Sequence, residues 1–403
     1  MRRLLLFLAL ALAVGLAALT AACAGSAPAI PAPVRATTTT APSVASPPTW
    51  TPLPPPSTPT PSSPPQPGWQ VVQSWFPPMG RYFSEGTLAP DGQTVVLFSQ
   101  PVGAQEAQAL DLMVHVYRVG VEKPMWEGRL QDDPPLKAVV ATFWLPDGRL
   151  ALNGYLANSD PALRVVRADT MEVVWSKDLV ALQDYPPHQA AYDAQRQRLL
   201  VNEQGLRRLE AYTWPGREWV EKYTASDMSN GCCVPQVLYS SQHGVAAVGL
   251  PLFDPRRYTL MWWDGSGPQA QLLPTRYDWD NWQAQAVVWG PSNQIAWIVM
   301  PTDAERGEPT ILEVVDITTG KVVWSTNDAE AFPGMNRVAW LPQRGWLVGS
   351  SLGEIRLYTG AKDYEVVRWP RENLYLYGLS TNEAQNARWL ALFNSRVEVW
   401  DWK

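Results

Sequence analysis

Two stretches of this chain spell nearly the same phrase 56 residues apart, and that repetition limits the fold more than any other feature. Leu88-Ala89-Pro90-Asp91-Gly92-Gln93 leads into the β-rich run Thr94-Val95-Val96-Leu97-Phe98. Trp144-Leu145-Pro146-Asp147-Gly148-Arg149 leads into Leu150-Ala151-Leu152. Proline fixes φ and glycine supplies a positive φ, so each phrase predicts two antiparallel strands joined by a tight turn. Weaker copies begin at Tyr192, Tyr239, Trp289, Trp340 and Leu379, at spacings between 39 and 51 residues. Every copy opens on an apolar residue and has proline or a small residue at its third position.

Seven copies at this period match blades of four short strands arranged in a ring. A second column agrees: Trp126, Trp175, Trp219, Trp324 and Trp369 fall where outer strands should run, with Leu272 in the fourth unit. After Leu379 only 24 residues remain, enough for two further strands but not three. The missing outer strand is expected from Gln70-Val71-Val72-Gln73-Ser74-Trp75-Phe76, which precedes the first copy. Closing the ring with the start of the body removes both free sheet edges. The expected fold is therefore all-β: a seven-bladed β-propeller of four-stranded blades over residues 69–403.

The strand, Pro-Asp-Gly, strand pattern resembles the WD40 and YVTN superfamily of propellers. Ile317-Thr318-Thr319-Gly320-Lys321-Val322-Val323-Trp324 resembles the repeat of pyrroloquinoline-quinone (PQQ) propellers, and Thr170-Met171-Glu172-Val173-Val174-Trp175 is a poorer copy. That second resemblance implies an alternative activity, a quinone-dependent dehydrogenase with PQQ as cofactor; another propeller enzyme, its residues scattered across loops, belongs to the same alternative. Those enzymes have eight-bladed rings and a calcium site of Glu, Asn and Asp, whose positions have no counterpart that can be mapped here.

The chain ahead of the repeats has another character. Arg2 and Arg3 precede an apolar run from Leu4 to Leu19, with small residues at Ala21 and Ala22, which predicts an export signal over residues 1–23. Cys23 resembles the lipid-modified cysteine of bacterial lipoproteins, although Thr20 stands where their motif has leucine. Secretory cleavage near Ala22 or Ala24, and an uncleaved anchor, are the alternatives. Residues 24–68 hold 15 Pro, 14 Ser or Thr and the single charge of Arg35, too little apolar surface to offset ordering. They are expected to form a disordered, semi-rigid stalk that reaches about 140 Å at most.

Charge and motif narrow the function. Beyond residue 68 the net charge is −9, which excludes the concentrated Lys and Arg that nucleic acid demands. No phosphate-binding glycine loop, nucleophile elbow or His-Glu-x-x-His motif is present, and His115, His188 and His243 lie far apart. No catalytic residue, metal ligand or resident cofactor is expected. Cys232 and Cys233 are adjacent in a chain bound for an oxidising compartment, which permits a vicinal disulfide. Adjacent Cα atoms about 3.8 Å apart fall short of the usual disulfide span, so two reduced thiols are the alternative.

The connections between units share a chemistry. They carry Asp132 and Asp133, Asp184 and Tyr185, Asp227, then Tyr277, Asp278, Trp279, Asp280 and Trp282, and finally Asp328 and Glu330. In a ring these connections reach one face, which would be acidic and aromatic. Such a face suits a protein, a peptide or a glycan stacked on aromatic rings. The expected role is a monomeric, non-enzymatic binding or scaffold lipoprotein, held outside the cell membrane or, alternatively, secreted.

Overall fold

A computed structural model describes residues 68–103, 111–178, 190–193, 196–203, 208–225, 236–238, 245–249, 257–263, 269–278, 280–302, 309–327, 334–370, 374–381 and 388–403. Among these residues there are strands and turns and no helix. The strands assemble into a β-propeller, as the repeats predict.

The first sheet contains β2 (Arg81–Leu88), β3 (Thr94–Pro101), β4 (Met113–Arg118) and β5 (Trp126–Gly128), hydrogen-bonded in chain order. The second repeats the pattern with β6 (Leu136–Trp144), β7 (Arg149–Leu156), β8 (Pro161–Arg167) and β9 (Val173–Asp178). Two further sheets do the same: β18 (Trp282–Trp289), β19 (Gln294–Pro301), β20 (Ile311–Asp316) and β21 (Lys321–Thr326), then β22 (Met335–Leu341), β23 (Gly345–Ser350), β24 (Ile355–Tyr358) and β25 (Tyr364–Arg368). The last sheet joins β26 (Leu376–Thr381), β27 (Trp389–Phe393) and β28 (Val397–Trp402) to β1 (Trp69–Trp75). Strand β1 pairs antiparallel with β28 from Trp69↔Trp402 to Trp75↔Val397, so the start of the body closes the ring as its sequence suggested.

The expectation of seven separate sheets is corrected. Among the described residues six sheets form, because one has eight strands. It runs from β10 (Ala190–Asp193) through β11 (Arg198–Glu203) and β12 (Arg208–Thr213) to β13 (Trp219–Ala225). It then crosses to β17 (Gln269–Asp278) and returns through β16 (Arg257–Trp263) and β15 (Val245–Gly249) to β14 (Gln236–Leu238). The junction is a short parallel contact, Thr224↔Gln269 and Ala225↔Ala270. Two outer edges that would each expose unpaired backbone groups satisfy one another there.

A glycine-bearing turn follows the inner strand of the first two sheets, and Asp91 shows why Pro-Asp-Gly suits it. Its Oδ1 accepts the Gln93 and Thr94 amides at 2.8 and 2.9 Å, and Oδ2 accepts the Thr94 hydroxyl at 2.8 Å. Gly92 takes φ 65°, a left-handed value that glycine adopts without steric penalty. In the weaker copies Ser292 and Gln343 accept φ 53° and 64° instead, which explains how the repeat persists without its glycine.

A regularity absent from the sequence reading appears in the ladders. Five inner strands carry a bulged residue at the same place: Ser84, Val140, Gln285, Asn336 and Tyr377 each fall at a break in register, and β6 has a second break at Lys137. Counting three residues past the residue after each bulge reaches Leu88, Trp144, Trp289, Trp340 and Thr381. The last copy therefore aligns on Thr381, two residues beyond the expected Leu379. Outer strands have their own bulge at Val72, Val174, Val220, Val323 and Val367. The tryptophan column is correspondingly uneven. Trp126, Trp175 and Trp324 share one register position, opposite Val116, Val165 and Val314. Trp219 lies opposite Tyr212 instead, and Trp369 falls outside its strand, 70% exposed.

The core lies between sheets rather than within any one of them. Val96, Phe98 and Val114 pack on Leu136, Leu150 and Leu152 of the next sheet. Ile298 and Val314 pack on Val338 and Tyr358, while Leu347 and Leu357 pack on Trp389 and Phe393. Second strands such as β3, β23 and β27 are covered on both faces and read as unbroken apolar runs.

Candidate binding site

Several of the charged residues belong to the scaffold. Matched through their ladders, His115, Arg164, Glu210, Glu313, Arg356 and Glu398 occupy one position, in the third strand of six four-strand units, and all are buried. Buried charges require partners. Arg164 binds Asp132 Oδ2 at 2.5 Å and Asp178 Oδ1 at 2.6 Å. Arg356 Nε donates to Glu354 at 2.8 Å, and its guanidinium lies 4.4 Å from the Tyr364 ring centroid. His115 Nε2 meets Ser99 Oγ at 2.8 Å; burial lowers its pKa against the pull of Glu127, so the ring is neutral at pH 7.

The three glutamates follow a common plan, each receiving a cation from the outer strand of the preceding unit. Lys177 on β9 donates to Glu210 at 2.8 Å, Arg276 on β17 to Glu313 at 2.5 Å, and Arg368 on β25 to Glu398 at 3.2 Å. Burial opposes the charge on Lys177, yet its bonds to Glu210 and Tyr212 push its pKa up to about 12. Glu313 also accepts the Tyr277 hydroxyl at 2.7 Å and Trp297 Nε1 at 3.2 Å. Burial, with the Glu313 carboxylate beside it, raises the Tyr277 hydroxyl above its ordinary value.

This arrangement bears on the loop residues singled out from the sequence. Asp132 is held by Arg164, and Tyr277 is 2% exposed and packed edge-on to Trp282 at 5.1 Å. Trp282 is half-buried against the apolar cluster around Trp297. Asp278 accepts the Asn281 amide at 3.0 Å and its side-chain nitrogen at 2.7 Å. Asp133 and Asp280 are exposed. Asp184, Tyr185, Asp227, Trp279, Asp328 and Glu330 lie outside the described residues, as do Cys23, Cys232 and Cys233.

Sequence reasoning missed the axial cavity, which opens at the opposite end of the strands, beside the Pro-Asp-Gly turns. It measures about 770 Å³ and is walled by the last residues of the inner strands. Thr87, Thr142, Ser380 and Thr381 supply hydroxyls, while Phe143, Trp144 and Trp289 supply aromatic surface. Trp144 Nε1 donates to Thr87 Oγ1 at 3.1 Å, and Ser380 Oγ accepts the Leu88 amide at 3.2 Å. The repeat's first column contained the signal: those residues end the strands that meet at the axis.

No family model and no curated protein matches this chain. The site is therefore judged on its own chemistry. Among the described residues, no group of three or more His, Cys, Asp or Glu could hold a metal, and no helix is long and apolar enough to cross a membrane. Aromatic faces beside hydroxyls in a concave site suit a ligand with one apolar surface and several hydrogen-bonding groups.

Proposed function

We propose that this chain is a non-enzymatic binding propeller, displayed outside the cell membrane on its Pro/Thr/Ser stalk. The axial cavity carries the reading, because it joins aromatic and hydroxyl surface in one concave site of about 770 Å³. Its ligand is a peptide, a segment of a protein, or a glycan. We count the ring as seven blades, taking the eight-stranded sheet as two four-strand units that share an edge. Export through residues 1–23 and lipid attachment at Cys23 complete the reading, with the monomer as the working unit. The acidic loops, through exposed Asp133 and Asp280, add a second surface for a basic partner.

Peptide and glycan arrays probed with the protein and with Thr142→Trp test the seat. The large side chain should fill the cavity and abolish the specific signals. Equal signals from both proteins would move the site elsewhere. Cys23→Ser should release the chain from the membrane fraction; a variant that stays with the membrane overturns the lipid anchor.

A further inference from the structure

Below the walls of the axial cavity lies a layer set by the inner-strand bulges. The residues that follow them are Glu85 on β2, Ala141 on β6, Ala286 on β18, Arg337 on β22 and Gly378 on β26. Three are Ala or Gly, so on these five strands the level carries long side chains only at one acid and one base. Strand β26 stands between the strands that carry the two charges, and there the residue is Gly378. Each layer residue comes one or two positions before a cavity wall: Glu85 before Thr87, Arg337 before Val338, Gly378 before Leu379.

Neither charge is satisfied as the scaffold charges are. Arg337 Nη1 donates to its neighbour's carbonyl, Asn336 O, at 2.8 Å, and Nε donates to Tyr377 O. Both acceptors are neutral. Glu85 has the Gly86 amide and the field of Arg337. No ion pair within 4 Å joins the two among the described residues, whereas Arg164, Glu210, Glu313 and Glu398 each have one. Two opposite charges therefore stand on the strands either side of β26, within each other's field but without an ion pair.

We propose that this layer is the floor of the binding site and that it takes a small zwitterion, with an ammonium group at Glu85 and a carboxylate at Arg337. The inference rests on the cavity being the ligand's seat. An amino acid or the backbone ends of a short peptide has this chemistry, and the hydroxyls and rings above receive the remainder. Guanidinium suits a carboxylate because its fork of donors matches two oxygens.

Burial pushes the Glu85 carboxyl up to about 8, against the Gly86 amide and Arg337, so that carboxyl holds a proton at pH 7. An arriving ammonium would stabilise the carboxylate and expel that proton into solvent. The other described side chains of the layer, at Ala141, Ala286 and Gly378, do not titrate, nor do Phe98 and Gly349 paired behind the two charges.

Titration calorimetry on the full chain tests this with glycine, β-alanine, γ-aminobutyrate and triglycine, which separate the two charges by increasing lengths. Phosphate and Tris buffers at pH 7 read the proton. One member of the series should bind best and release up to about one proton per site. Methylamine and acetate, each with half the chemistry, should bind at least about tenfold more weakly, a difference of about 1.4 kcal/mol. Glu85→Gln should lose about tenfold in affinity together with the proton release, and Arg337→Lys should lose affinity but keep the release. If no member binds, or if both variants bind like the parent, the zwitterion assignment fails. Arrays that still respond to Thr142→Trp would then leave the cavity reading standing. Zwitterion binding that ignores Thr142→Trp would instead sink the cavity reading.

Discussion

At the scale of single residues, the buried pairs decide whether the scaffold holds. Arg368 and Glu398 are each 4% exposed in their side chains, and Glu398 also accepts Arg396 Nε at 2.7 Å and Trp400 Nε1 at 3.2 Å. Arg368 in turn donates to Gly353 O at 2.6 Å and lies 4.3 Å from the Phe393 ring centroid. Removing Glu398 alone takes a buried carboxylate away from the Arg368 guanidinium, and breaking a buried pair in this way typically costs about 3–5 kcal/mol. Glu398→Ala should therefore lower the unfolding free energy by about that much in urea titrations. The double variant Arg368→Met, Glu398→Leu should recover a large part, since apolar groups of similar volume remove both desolvation costs. A double variant less stable than either single one would show that the pair contributes net stability. Neither partner was legible as such in the sequence. Glu398 sits in Val397-Glu398-Val399-Trp400, which reads as ordinary strand alternation, and its cation arrives from another sheet.

At the scale of elements, what was legible follows from how locally each feature is encoded. The Pro-Asp-Gly turns declare themselves because proline, aspartate and glycine act within four residues, as the Asp91 hydrogen bonds show. Closure by residues 70–76 was legible from a deficit, two strands after Leu379 where three were needed. The bulges were not legible, because Ser84, Val140, Gln285, Asn336 and Tyr377 share no chemistry; a bulge is a property of the ladder. Missing them displaced the last copy by two residues. The β13–β17 junction was equally hidden, since Thr224, Ala225, Gln269 and Ala270 carry no pairing signal. Likewise, the acidic connections were legible as sequence, but not that Asp132 and Tyr277 would be drawn into buried contacts.

Closure also gives the element-scale prediction. Strand β1 covers the outer edge of β28 and buries Trp75, whose Nε1 donates to Val121 O at 3.0 Å in the first unit. Deleting residues 69–75 exposes that edge and opens the cluster of Trp75, Phe83, Tyr117 and Leu390. Truncation of a buried tryptophan alone costs about 3–5 kcal/mol, so the shortened chain should unfold early and aggregate through the bared strand. Thermal melts with light scattering would read both effects. A truncated chain that melts with the parent would mean that β1 decorates the ring rather than closes it.

At the scale of the whole molecule, stability should belong to the ring. Each apolar cluster among the described residues draws on neighbouring sheets, and the cations on β9, β17 and β25 reach across to the next unit. A single sheet has little interior of its own, so losing one unit bares the faces of two others. Two designs are distinguishable. In a chain of independent repeats, stability is a sum of local terms and unfolding can begin at any end. Here β1 joins the last unit to the start of the body, which leaves no end to fray. Urea unfolding followed by tryptophan fluorescence and by far-ultraviolet circular dichroism should therefore give coincident transitions. The eight-stranded sheet is the place to look for a departure, because among the described residues its two halves share a ladder of two pairs, Thr224↔Gln269 and Ala225↔Ala270. Hydrogen exchange read by mass spectrometry should show β11 and β12 opening together with β19 and β20. Early exchange confined to the eight-stranded sheet would overturn the single-unit view and make that sector a separately folding part of the propeller.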